Sequence, residues 1–201
     1  MRFPNRLITN SLPCFAIAVV LLSLPACSVN VKKNAEGEDK KVDIDTPFGG
    51  IHVSENADVK DTGLTVYPGA QEKPKDNEHD SKKANVNISG PGFGVKVVAL
   101  EYLSSDSPQK LVEYYKNDLR KFGPVLECHT NQHSADIHAR SEGSEDKGDQ
   151  PVTCDQNDSG KTVELKVGTR NNQHIVAIEP EGAGSKFALV YVRTHGKDGT
   201  I

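Results

Sequence analysis

Tryptophan is absent from the 201 residues, aromatic residues amount to 5% and apolar residues to only 35%. So little large apolar surface fills one modest core and excludes two full domains. No stretch comfortably reaches the roughly 20 consecutive apolar residues that a membrane-crossing helix needs. A basic excess is missing too: 24 Lys and Arg face 28 Asp and Glu, for a net charge of −4. Residues 1 to 26 hold Arg2 and Arg6 and no acid, so the remainder carries 22 basic and 28 acidic residues, or −6. That balance gives no footprint for a phosphate backbone, and nucleic acid is not an expected partner. Catalytic signatures are equally scarce. Neither G-x-S-x-G nor H-E-x-x-H occurs. SGPGFG (89–94) has the glycines of a phosphate loop, but a strand follows it rather than a helix N-terminus, and no Lys-Ser/Thr pair does. No activated nucleophile or paired-acid context is visible, so the expectation is a non-catalytic domain that needs no cofactor.

What is present begins at the N-terminus. Arg2 and Arg6 form a basic start, and an apolar stretch follows, densest from Cys14 to Leu24 (CFAIAVVLLSL). A short apolar segment behind a basic start, ending in small residues, reads as an export signal.

The end of that segment is LPACSVN. Leu24, Pro25, Ala26 and Cys27 resemble the lipobox of bacterial lipoproteins: an aliphatic residue at −3, a small one at −1, then cysteine. The resemblance implies that the Cys27 thiol takes a diacylglyceryl group, that the chain is cut before Cys27, and that the new amino group is acylated. Each buried methylene contributes about 0.8 kcal/mol, so two or more chains hold a protein stably on a bilayer. The partner implied is a membrane, reached through the N-terminal lipid. Ser28, a non-acidic residue after the cysteine, implies the outer membrane, facing the periplasm.

Cys14 falls in the export segment and Cys27 takes the lipid, which leaves Cys128 and Cys154. Outside the cytoplasm a lone pair of thiols oxidises. Their spacing is neither C-x-x-C nor a zinc-ribbon pattern, so a structural disulfide is expected, contributing about 3–4 kcal/mol in a chain-entropy account.

Composition divides the rest into a charged tether over 27–60, a domain over 61–195 with a polar loop insertion at 129–150, and a tail at 196–201. The tether includes VDIDTPFGGIHV (42–53), whose alternation about Gly49-Gly50 predicts a hairpin. Strands are expected at LTVYPGA (64–70), ANVNISG (84–90), VKVVALEYL (95–103), PVLEC (124–128), PVTCD (151–155), KTVELKVGT (161–169), HIVAIEP (174–180) and KFALVYVR (186–193). One helix is expected. Ser107 suits its N-cap, Pro108 its first turn, and Gly123 its C′ position. Leu111, Val112, Tyr115, Leu119 and Phe122 form its apolar stripe, with Tyr115 on the sheet and Tyr114 flanking it. The fold class is therefore α+β: an antiparallel sheet of about six to seven strands with one amphipathic helix packed on it, preceded by a signal peptide and a charged tether.

Two further resemblances are local. TPFG (46–49) resembles the strand-turn units of a bacterial adhesin-like family built from repeated strands, here in one copy. YPGA (67–70) together with SDSPQKLVEYY (105–115) resembles small uncharacterised exported bacterial domains, over roughly residues 60 to 128. That second likeness implies a fold and no activity.

A competing reading rests on the insertion. His129, His133 and His138, with Asp136 among them, are residue types that zinc or copper sites use. A solvated polar loop has the same composition and lacks the supporting groups that orient ligands. The two candidate functions are thus a lipid-anchored binding or structural domain, and a periplasm-facing metal- or small-ligand-binding module built on that loop. If the source is bacterial, as the lipobox resemblance implies, the N-x-S sequences at Asn87 and Asn157 are chance matches.

Overall fold

A computed structural model describes residues 28–33, 40–74, 83–131, 150–154 and 157–195. It is mostly antiparallel sheet with a single α-helix. The strands are β1 (Ser28–Lys33), β2 (Lys40–Thr46), β3 (Gly49–Ser54), β4 (Gln71–Glu72), β5 (Lys83–Gly90), β6 (Phe93–Ser104), β7 (Leu126–Thr130), β8 (Thr162–Thr169), β9 (Asn172–Glu181) and β10 (Gly184–His195). They run in the order β1-β2-β3-β5-β6-β10-β9-β8-β7, and β4 pairs with the end of β6 beyond β5. The helix, α1 (Pro108–Leu119), continues as a 3-10 turn over Arg120–Phe122.

The core lies between one face of the sheet and a layer made of α1 and the segment from Ala57 to Ala70. Leu111, Tyr115 and Leu119 recur every four residues and so share one side of the helix, where all three are fully buried. They meet Val98, Leu100, Leu165, Val176, Ile178, Phe187 and Leu189, the alternate residues of the central strands. Fully burying such a side chain is worth about 1.5–3 kcal/mol. Ser107 holds the N-cap position with extended backbone but makes no side-chain cap bond; its carbonyl accepts from the Lys110 and Leu111 N–H groups. Gly123 ends the helical run at φ 136°, a backbone shape that side chains resist.

The opposite face divides in two. Toward the β4 end it carries ion pairs: Lys166–Glu164 at 2.9 Å, Lys186–Glu179 at 2.9 Å and Lys73–Glu101 at 3.9 Å. Toward the other end the register stacks β-branched residues across six strands. Val192, Val97, Val86, Val53, Val42 and Val31 form one row; Thr194, Val95, Ile88, Ile51, Ile44 and Val29 form the next. Such cross-strand neighbours are the unit of sheet stabilisation.

The structure has more strands than the six to seven expected. The region from Ser28 to Ser54 supplies β1, β2 and β3, where composition pointed to a tether. Its charges lie on alternate residues: Asp43 and His52 are paired at 3.0 Å on the face opposite Val42, Ile44, Ile51 and Val53. High charge thus hid a strand whose other face is aliphatic. Two expected strands do not form. Over 64–67 the backbone bonds to helix side chains, with the Thr65 N–H on Asp118 (3.3 Å) and the Tyr67 N–H on the Tyr115 hydroxyl (3.0 Å). Among the described residues 151–154 the only pairing is a single bridge between Pro151 and Thr169.

Candidate functional site

Three places bring polar groups together. The first is the base of the 129–150 insertion. β7 is an edge strand, paired only with β8, and α1 passes its helix-side face. Glu127 lies on that face and receives Lys116 from the helix, and His129 Nε2 lies 3.0 Å from its Oε1. Lys116, then burial in the opposite sense, then His129 set the Glu127 carboxyl, with a net shift below its usual range. Cys128 alternates to the other face, is fully buried, and has its Sγ at bonding distance from that of Cys154, with the Cα atoms 5.6 Å apart. Two further bonds hold the returning chain: the His129 N–H donates to Asn157 Oδ1 (3.0 Å) and the Asp158 N–H to the His129 carbonyl (2.9 Å). His129 is therefore engaged with Glu127 and Asn157. His133, Asp136 and His138 lie outside the described residues, as do Cys14 and Cys27. Among the described residues no cluster of three or more His, Cys, Asp or Glu is placed to hold a metal.

The second place is the YPGA turn. The Tyr67 hydroxyl donates to Asp106 Oδ2 (2.9 Å), while Lys110 donates to Asp106 Oδ1 (2.7 Å). Lys110 and then Tyr67 hold the Asp106 carboxyl below its usual range. The Ser185 hydroxyl donates to the Asp106 carbonyl, fixing the entry to α1 against β10. Tyr67 and Tyr114 meet edge to face at 5.0 Å, as do Tyr114 and Tyr115, and Tyr115 continues to Phe187 at 5.6 Å. Burial drives the Tyr115 hydroxyl far above the usual tyrosine range, so it stays protonated. Tyr114 and Tyr115 are thus engaged with neighbouring rings, Tyr114 in edge-to-face contacts of the kind aromatic pairs favour.

The third place is an open cleft of about 440 Å³ between the Val59–Thr62 turn and β6, lined by Asp58, Asp61, Glu72, Lys83, Leu100 and Tyr102 among others. Its charges are used in folding: Asp58 caps the turn by accepting from the Lys60 N–H, and Lys83 pairs with Glu72 at 2.6 Å. At each of the three places the polar groups bond one part of the chain to another.

Sequence reading named the cysteines, the histidines and the tyrosines. It missed the Tyr67–Asp106–Lys110 group and the strand β1. The first had no sequence signal, since it joins residues far apart in the chain. The second was visible as Val29/Val31. The hairpin expected over 42–53 forms as β2 and β3, with its turn at Pro47-Phe48 rather than at Gly49-Gly50. Comparison with protein families, curated proteins and solved structures gives no match to this chain.

Proposed function

We propose that the chain is a lipid-anchored bacterial envelope lipoprotein whose domain, related to the YPGA-type exported domains, works by binding or by structural presence rather than by catalysis. The observation that carries this is Leu24-Pro25-Ala26-Cys27 at the end of an apolar run behind Arg2 and Arg6. The Cys128–Cys154 pair supports it, because a buried disulfide persists where the surroundings are oxidising. In this reading residues 1–26 are removed, Cys27 carries the acyl chains, and the domain faces the periplasm from the outer membrane. The bonds at Cys128, Cys154 and Asn157 fasten the base of the 129–150 insertion to the domain.

The test is mass spectrometry of the N-terminal peptide from native membranes, with a count of free thiols. The expected result is an N-terminal Cys27 carrying a diacylglyceryl thioether and one further acyl group, with no free thiol. An unprocessed Met1 with free thiols at Cys128 and Cys154 would overturn it.

A further inference from the structure

On the side of the sheet away from α1, aliphatic character increases toward one corner. Along that face the ion pairs of Glu101, Lys186 and Glu164 give way to the two β-branched rows, and the rows end beside two exposed aromatic rings. Phe48, in the β2–β3 turn, is 71% exposed, and Phe93, at the start of β6, is 48% exposed. Phe93 lies on the same face as Val95 and Val97. Its ring covers Gly90, where an added Cβ would come within 2.1 Å of it. Val29 and Val31, on the outer strand β1, are 66% and 59% exposed.

The register says where this corner lies. Ser28 is paired with Asp45, Gly50 with Ser89, and Ser89 with Gly94, so the first residue of β1 is level with the β2–β3 and β5–β6 turns that carry the two phenylalanines. The residue before Ser28 is Cys27. The acyl attachment point of the proposed lipoprotein is thus one residue from the sheet and two from Val29, at the end where the exposed apolar side chains gather. A chain extends at most about 3.6 Å per residue, so an anchor at Cys27 leaves this corner no room to stand away from the bilayer.

We infer that this corner of the sheet seats on the bilayer, with Phe48, Phe93, Val29 and Ile51 entering the boundary between headgroups and acyl chains. This rests on lipidation of Cys27. The exposed apolar side chains support a lipid surface over a second copy of the chain, because they gather at the anchor end, whereas Val97, Val190 and Val192 at the middle of the face are already buried. The anchor supplies residence at the membrane; the corner supplies orientation, turning the ion-paired end of the face outward.

The absence of tryptophan gives a direct test. Phe48→Trp, Phe93→Trp and, on the exposed side of α1, Glu113→Trp are made separately in the full chain, purified as lipoprotein, and reconstituted into vesicles with and without brominated lipid. The acyl mass on Cys27 is confirmed for each. The Phe48→Trp and Phe93→Trp emissions are expected to shift blue and to be quenched most by bromines near the top of the chain, matching a seat about 5–10 Å deep. The Glu113→Trp emission is expected to stay unquenched. If the acylated protein remains on vesicles and the two corner indoles are quenched no more than that at 113, the seating is wrong and the anchor stands. Blue-shifted emission without quenching, accompanied by a dimer mass, gives the corner to a second copy and overturns the inference. A missing acyl mass overturns the anchor and the seating together.

Discussion

His174 Nδ1 donates to the Thr62 carbonyl at 2.8 Å, joining β9 to the turn that leads into the YPGA segment. The imidazole also stacks on Phe122 at 3.7 Å, with 15° between the ring planes, and leans on Tyr191 at 5.0 Å. One ring thereby touches the turn before α1, the turn after it, and two strands beneath. Burial lowers its proton affinity below the ordinary value near 6.5; the Thr62 bond, next in size, opposes that shift, and the Lys121 charge adds to it in smaller measure.

A pH dependence follows from that shift. Because the folded state binds the His174 proton less well than the unfolded state, acidification favours unfolding. The stability linked to His174 is full above about pH 6.5, the unfolded value, and is lost as pH falls from there toward the folded one. The depressed carboxyls of Asp43, Asp106 and Glu127 act in another window: their contribution is present above the ordinary carboxylate range and is lost below about pH 4. Melting curves from pH 7.5 to 5.5 should therefore fall for the parent chain and be flatter for His174→Gln, although that variant starts lower. Parallel curves would remove His174 as the cause.

Tyr115→Phe should destabilise the domain by about 1–3 kcal/mol, because it leaves the Tyr67 N–H without its 3.0 Å acceptor beneath the helix. The ring contacts survive the change, so the loss reports the hydroxyl alone. Urea unfolding followed by far-ultraviolet circular dichroism gives the number, and an unchanged midpoint would show that water replaces the bond.

Removing the crosslink should cost about 3–4 kcal/mol on the chain-entropy account, given the separation of 26 residues between Cys128 and Cys154. Cys128→Ala/Cys154→Ala and the reduced parent chain should lose similar amounts. Equal unfolding midpoints for parent chain with and without reductant would mean that the fastening bonds of Asn157 and Asp158 already hold the insertion closed.

The long strands and the helix were legible because their apolar residues keep one period throughout: two for VKVVALEYL and KFALVYVR, close to four for Leu111, Tyr115 and Leu119. The strands β1 to β3 were harder to read. A three-strand wing with lysine, aspartate and histidine on one face has the composition of a linker, and only its alternation, read over 42–53 as a hairpin, separates the two. LTVY misled in the other direction, since β-branched and aromatic residues signal a strand whether their N–H groups go to a neighbouring strand or, as here, to Asp118 and Tyr115. Of the candidate site residues, Cys128 and Cys154 were readable by elimination. The Tyr67–Asp106 bond was not, because nothing local says that residue 67 will meet residue 106.

The middle of the sheet is the pairing of β6 with β10, and β10 is the last of the described strands in chain order. Until Gly184–His195 has left the ribosome, β1 to β6 and β7 to β9 are two half-sheets with no shared hydrogen-bonded seam. Closure of the hydrophobic interior therefore waits for β10, which contributes Phe187 and Leu189 to it. A chain truncated before residue 184 should accordingly be a substrate for proteases rather than a smaller version of the same protein.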